Sequence, residues 1–363
     1  MKKIVLGAAL LMLVMATVGS ATVLTVSVNP GSAQYTTILA AYNAATNGDT
    51  ILIGPGTYNN QIIHQKRLHY IGAGWDVCTM TSGGHCFYMQ TAAANGTVIE
   101  GLRIQEQGGY NVYMTAPVDS ITLRRCLLSS VNSNINMESG RLYVEDCILL
   151  HQTSGDLVTF LGTATTGNCI FRNTVFALTT PNNSSNALQG IHGGVIEIYN
   201  CVFVNMNTPF NLTGTPQVVG LNNIFFDWTA ATGYGPLPAG SVFEYTAAGG
   251  GQPAFPAGFN NNITLGANNP FVNYNTATNY IIGTSDLHLN NTAGGLMCVD
   301  TGYPSINDLD GSRSDVGLYG GPKPLIDNGL PAYPFAITLT VDPLVEVGDS
   351  VGVNSTGRIG PRY

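Results

Sequence analysis

Along the middle of the chain, apolar and polar positions alternate in short phrases that recur with almost the same wording. SITLRRCLL (120–128), RLYVEDCIL (141–149), NCIFRNTVF (168–176), VIEIYNCVF (195–203) and VVGLNNIFF (218–226) superpose with Cys126, Cys147, Thr174, Cys201 and Asn223 in one column, at gaps of 21, 27, 27 and 22 residues. VIEGLRI (98–104) extends the series upstream if Leu102 joins the column. Within a phrase, Ile121 and Leu123, then Cys126 and Leu128, show the period of two that marks a strand with one buried face. The unit contains no helix-period stretch and lacks the leucine ladder of leucine-rich repeats, which share this repeat length.

Self-similarity at this period predicts a solenoid, in which each repeat buries its apolar face against its neighbours. Strands that return to the same side once per repeat must run parallel, so the expected fold is an all-β parallel β-helix of about ten coils. Stacked about 4.8 Å apart, the column becomes a line of inward side chains, where small, weakly polar Cys fills the space between larger Leu, Val and Phe rungs. Thr174 and Asn223 fit there by bonding to a neighbour or to the backbone. The preceding column, Arg125, Asp146, Asn173, Asn200 and Asn222, suits a turn with amides bonding along the stack. Arg124, Glu145 and Arg172 alternate in sign one column further out and read as a register-setting ladder.

Composition narrows the rest. Only 9% of the 363 residues are charged and the formal net charge is −8, which leaves no basic stripe for a nucleic-acid backbone. Lys2 and Lys3, the apolar run from Ile4 to about Val18, and Gly19, Ser20 and Ala21 follow the order of a secretory signal over 1–21. The run is shorter than the roughly 20 residues of a spanning helix. After cleavage, residues 22–322 form the β-helix domain with its N-terminal cap, and 323–363 a linker and β tail. The mature protein is expected to be secreted or on the cell surface, monomeric, and without a membrane span.

The cap is predicted from Ile38, Ala41, Tyr42 and Ala45, an amphipathic stretch ahead of Gly48 and a strand over 50–53. Such a helix covers the open first coil. The GDTI, PGTY and IGAG elements at Gly48, Pro55 and Ile71 resemble the opening of pectin-lyase-like right-handed β-helix proteins. NNPFVNYN (268–275), SDLHL (285–289) and INDLDGSRSDVGLYGGP (306–322) resemble a closing segment of secreted bacterial members. The resemblance implies a right-handed parallel β-helix over about 32–322 and leaves the chemistry open, because one fold hosts lyases, hydrolases, esterases and adhesins. In the tail, Ala336 to Val341 and Leu344 to Val353 alternate as two strands, which read either as a closing hairpin or as an attachment and sorting tail.

Candidate chemistry is thin. The Arg-rich lyase signature and the Asn-Thr-Asp, Asp-Asp, Gly-His-Gly and Arg-Ile-Lys elements of polygalacturonases are missing, and no carboxylate pair declares a glycosidase site. Arg103, His151 and Asp156 are the remaining catalytic candidates. Tyr110 and Tyr113, and Trp228 with Tyr234, lie in loops or at coil edges, where flat rings can meet sugar faces or pack over the coil. Asp308, Asp310 and Asp315 in NDLDGSRSD read either as a Ca²⁺ loop without EF-hand spacing or as an Asx-bonded turn; no other cofactor is called for. Export permits disulfides, and Cys78 with Cys86 is the candidate pair. Three functions stay open: a polysaccharide-binding or adhesive surface protein, a divergent polysaccharide lyase or hydrolase, and a structural envelope component.

Overall fold

The computed structural model describes residues 21–362 except 154, 166, 180–184, 207, 229–232, 236, 252–254, 256–258 and 342–349. The expected signal segment therefore falls, apart from Ala21, outside the described residues. No helix among those described is long and apolar enough to cross a membrane.

The chain winds as a parallel β-helix with three walls. The first sheet has ten strands, from Val23–Val26 to Val242–Glu244; the second has ten, from Gly56–Asn59 to Ile263–Gly266; the third has seven, from Ile62–His64 to Thr208–Gly214. Neighbouring strands in each wall are parallel, and Ser120–Arg124 on Arg141–Glu145 and Leu127–Ser130 on Ile148–His151 pair in continuous register. At the start, helix Ile38–Ala44 is capped by the Thr37 side chain and buries Ile38, Ala41 and Tyr42. Lys66 Nζ donates to the carbonyls of Tyr42 and Ala45 at 2.8 Å, which satisfies the open C-terminal end of that helix.

The repeated phrase is the corner between the first and second walls. Arg125, Asp146, Asn173, Asn200 and Asn222 all turn the corner in the left-handed region, with φ between 44° and 58°. Asn and Asp tolerate that conformation better than most residues, which explains their recurrence. The next residue points inward: Cys126, Cys147, Thr174, Cys201 and Asn223 are fully buried. Each of the thiols and the Thr174 hydroxyl donates to the carbonyl two residues back, as Cys147 Sγ does to Glu145 O at 3.2 Å and Thr174 Oγ1 to Arg172 O at 2.8 Å. Along the stack, Cys126 N donates to Cys147 Sγ (3.4 Å) and Cys201 N to Asn223 Oδ1 (2.9 Å). The column thus selects small side chains that donate backward and accept from the coil below, a sharper requirement than filling space.

Inside, Phe176, Phe203 and Phe225 stack with centroids 4.5 and 4.4 Å apart. On the outside of the first wall, Arg124 meets Glu145 at 3.1 Å and Arg172 lies over the Tyr199 ring at 5.5 Å. All seven cysteines are free and buried. The pairing expected between Cys78 and Cys86 is not formed: Cys78 belongs to the second wall, with Sγ toward Ile53 O at 3.7 Å, whereas Cys86 leads into a strand of the third.

The chain leaves the coil after Ile263–Gly266 and folds back over the second wall. A second apolar cluster joins outward residues of that wall, such as Leu127, Leu150, Val204 and Phe226, to Phe271, Tyr274, Leu287, Val316 and Leu318. The corner asparagines fasten this cover rather than mainly bonding to one another. Asn222 Oδ1 accepts from Tyr303 N (2.6 Å), and Asn200 Nδ2 donates to the carbonyls of Asp315 and Gly317 at 3.0 and 3.1 Å. Asn173 Nδ2 donates to those of Leu318 and Gly320, both at 2.9 Å. Further along, Arg125 reaches the carbonyls of Leu330 and Pro361, and Arg358 pairs with Asp76. The C-terminal segment therefore runs back along the corner towards the N-terminal end. The closing hairpin pairs Phe335–Val341 with Val353–Arg358, so its second strand starts where the expected one ended; residues 344–349 of that expected strand lie outside the described residues.

Candidate functional site

With the later strands of the second wall covered, the outside of the third wall brings a group of aromatic side chains together. Strands Phe87–Met89 and Val112–Met114 are neighbours there, with Tyr88 opposite Tyr113. Alternation sends Phe87, Met89, Val112 and Met114 into the core and leaves both tyrosines outside. Their rings stack with centroids 5.2 Å apart and planes within 2°. His85 stacks on Tyr110 at 5.1 Å and 10°, and lies 5.2 and 5.1 Å from Tyr88 and Tyr113. Four partly exposed rings from two successive coils thus form one continuous patch.

The loop beneath is held firmly. Glu106 is buried; its Oε1 accepts from the backbone N–H groups of Gly108 and Gly109, and its Oε2 accepts from Ser130 Oγ at 2.8 Å. Gly109 packs against Gly84 and His85 so closely that a Cβ would collide. His85 Nδ1 accepts from Tyr110 N at 3.1 Å, which fixes the imidazole. Burial holds its pKa below the usual histidine value, opposed by Glu106, so the ring is neutral at pH 7. At the rim Tyr113 Oη donates to Glu138 Oε1 at 2.5 Å. That hydrogen bond, then burial, raises the Tyr113 phenol above its ordinary pKa.

Tyr110 and Tyr113 are therefore brought together, and the structure adds Tyr88 and His85. The echo of FYM (87–89) in VYM (112–114) is the sequence signal for the stacked pair. Tyr234 is corrected from the expected edge position to the core: it is buried, stacked on Phe255 at 4.3 Å and edge-on to Phe225. Trp228 ends a strand of the second wall opposite Met206, on a different sheet from the patch.

Of the three catalytic candidates, His151 and Asp156 share one loop, with His151 Nε2 against Gly155, the neighbour of Asp156, and Arg103 stands on another strand. Arg103 opens a strand of the second wall beside Leu127. His151 is fully buried, its Nδ1 accepting from Thr153 N at 3.1 Å, and burial lowers its pKa. Asp156 accepts from the N–H and side-chain amide of Asn186, while burial raises its pKa. The three aspartates of the C-terminal loop are each engaged by the chain. Asp308 Oδ2 accepts from Asp315 N, Asp310 Oδ1 from Ser312, and Asp315 Oδ1 from Asp300 N. No group of three His, Cys, Asp or Glu side chains is poised to hold a metal among the described residues.

No family model matches the sequence, and no curated protein does. Solved structures similar to it include pectate lyase Pel9A, at 16% identity over 83% of this chain and 96% of that one, with a TM-score of 0.48. A deglycosylated pectin methylesterase from Aspergillus niger is similar at 12% identity over 72% and 91% of the respective chains, with a TM-score of 0.31. At these values the likeness concerns the course of the chain, and no residue role passes from them to this protein.

Proposed function

We propose that this chain is a polysaccharide-binding protein of the cell exterior that holds an extended glycan on the aromatic patch of its third wall and does not cleave it. The observation that carries this reading is the stacked, partly exposed set His85, Tyr88, Tyr110 and Tyr113. Such rings offer apolar faces to the C–H faces of pyranose units with little conformational entropy to lose on binding. A wall of parallel strands is rigid and straight, which suits a linear polymer more than a compact ligand. His151 is fully buried and Asp156 is taken up by Asn186, which favours binding over turnover.

Affinity electrophoresis through gels containing neutral or acidic polysaccharides tests the reading. The parent protein should be retarded by at least one glycan, and the Tyr88→Ala, Tyr113→Ala double variant should migrate as in a glycan-free gel, with its melting curve intact. Release of unsaturated or reducing ends by the parent would establish a lyase or hydrolase instead. Equal retardation of parent and double variant would remove the patch from the function.

A further inference from the structure

A cavity of about 550 Å³ lies where the C-terminal cover meets the solenoid, away from the aromatic patch. Its size is that of a small-molecule site. Trp75 borders it from the coil, and Tyr280, Asp286, His288, Tyr319 and Asp327 from the cover. Asp286 and His288 stand two residues apart on one strand and meet at 2.7 Å. The His288 ring stacks on Tyr319, whose hydroxyl donates to Asp327 Oδ1 at 2.9 Å. Asp327 is set by a tight turn in which Asn328 and Gly329 are both left-handed, at φ of 60° and 59°. Gly329 lies so close to the Trp75 ring that a Cβ would collide.

Two features point to a ligand. Neither Lys nor Arg is among the residues lining the cavity, so two carboxylates face it with no cation beyond what His288 supplies. Tyr280 is only 6% exposed, and its hydroxyl has no hydrogen-bond partner among the described residues, although both carboxylates act on it electrostatically. Tyr280 thus turns an unpaired hydroxyl, able to donate and to accept, towards the cavity that it lines. Asp286, Asp327 and the Tyr280 oxygen together present acceptors beside an indole face. A protonated primary amine carries three donors and no acceptor, and its charge is attracted to carboxylates and to an aromatic face.

We infer that this cavity binds the protonated primary amine of a small ligand, an amino-sugar unit or an alkylamine, independently of the glycan on the third wall. Trp75 reports on it. The chain has two tryptophans, so a Trp228→Phe variant leaves Trp75 as the sole indole, and calorimetry on the parent protein checks that background. Glucosamine should change Trp75 emission saturably, and glucose and N-acetylglucosamine should leave it unchanged. A saturable response to cadaverine instead of glucosamine supports the site and assigns its amine to an alkyl chain. Asp327→Asn should weaken amine binding by about tenfold or more, the size of one lost charged hydrogen bond. Tyr280→Phe, which removes a single oxygen, should weaken it several-fold with the melting temperature retained. Equal responses to glucose and glucosamine, no saturable response to either amine at millimolar concentrations, or unchanged amine affinity in Tyr280→Phe would each overturn the inference.

Discussion

The second wall consists of two stretches that share strands, register and inward core but differ on the outside. In its first three strands the outward residues are Thr57, Asn59, Thr79, Thr81, Arg103 and Gln105; in line with them further along come Leu127, Ile148, Val175, Val202 and Ile224. The early stretch alternates buried and partly exposed positions, whereas Leu127–Ser130, Ile148–His151 and Val175–Leu178 are buried throughout. Alternation records water outside the wall, and a continuous apolar run records chain on both sides. The cover occupies the second stretch, so a groove along that wall is closed and the third wall carries the exposed rings.

Removing the cover should erase the difference most violently. A chain ending at residue 267 would expose Leu127, Leu150, Val204, Phe226 and their neighbours as one apolar face, far beyond the isolated patches that soluble proteins present. Each such side chain contributes about 1.5–3 kcal/mol on burial. The truncated protein should be recovered as aggregate, and a soluble, cooperatively melting product would show that the cover is an ornament to a self-sufficient solenoid. Next in size is Asn200, which ties the corner to the cover. Asn200→Ala loses bonds to Asp315 and Gly317 and places a residue with a Cβ but no local hydrogen bond at a φ of 52°. The expected loss is about 2–4 kcal/mol in denaturant unfolding. Asn200→Gly keeps the backbone conformation accessible, so the gap between the two variants reads the strain at this φ less the extra unfolded-state entropy of glycine.

The corner also gives a pH signature. Burial pushes the Asp146 carboxyl up to about 7, against the pull of Arg125, whose Nε lies 3.9 Å away. Its folded pKa exceeds the unfolded value, about 3.9, so the folded chain holds the extra proton between those limits. This group's contribution is fully present below about pH 4 and is lost as pH rises through about 7. Asp146→Asn should remove that slope from the plot of melting temperature against pH, raising the midpoint at pH 8 relative to the parent. An unchanged slope would mean that Arg125 keeps the carboxylate ionised under the tail.

The corner and the first wall were legible because the repeated phrase combines a two-residue period with a fixed turn, and Asn in the turn announces a left-handed residue. The strand at 50–53 and the helix over Ile38–Ala44 followed from equally local signals. The third wall was harder: Phe87–Met89, Val112–Met114 and Ile135–Met137 are three residues each, too short to show a period. The stack of Tyr88 on Tyr113 depends on register across a coil. Tyr110 and Tyr113 were named as ring candidates, but His85 and Tyr88 were not. The cover was least visible, since Asn173 and Leu318 meet across 145 residues. Its trace was nevertheless present in ILLH and VFAL, where alternation gives way to successive apolar residues.

The smallest test places that trace under direct control. Thr79 and Val175 share the outward column of one sheet, four strands apart, and Thr and Val are nearly the same shape. Thr79→Val exchanges a half-wet hydroxyl for a methyl and should alter stability by less than about 0.5 kcal/mol. Val175→Thr puts a hydroxyl between the wall and its cover, where Val175 is 1% exposed, and should cost about 1–3 kcal/mol unless the hydroxyl finds a carbonyl. Equilibrium unfolding in urea reads both on one scale. If the two reciprocal changes cost the same, the outward face is equally wet along its length and the division of the wall into a bare and a covered stretch fails. If only Val175→Thr is penalised, the boundary can be walked strand by strand from Arg103 to Leu127, where alternation first yields to a continuous run.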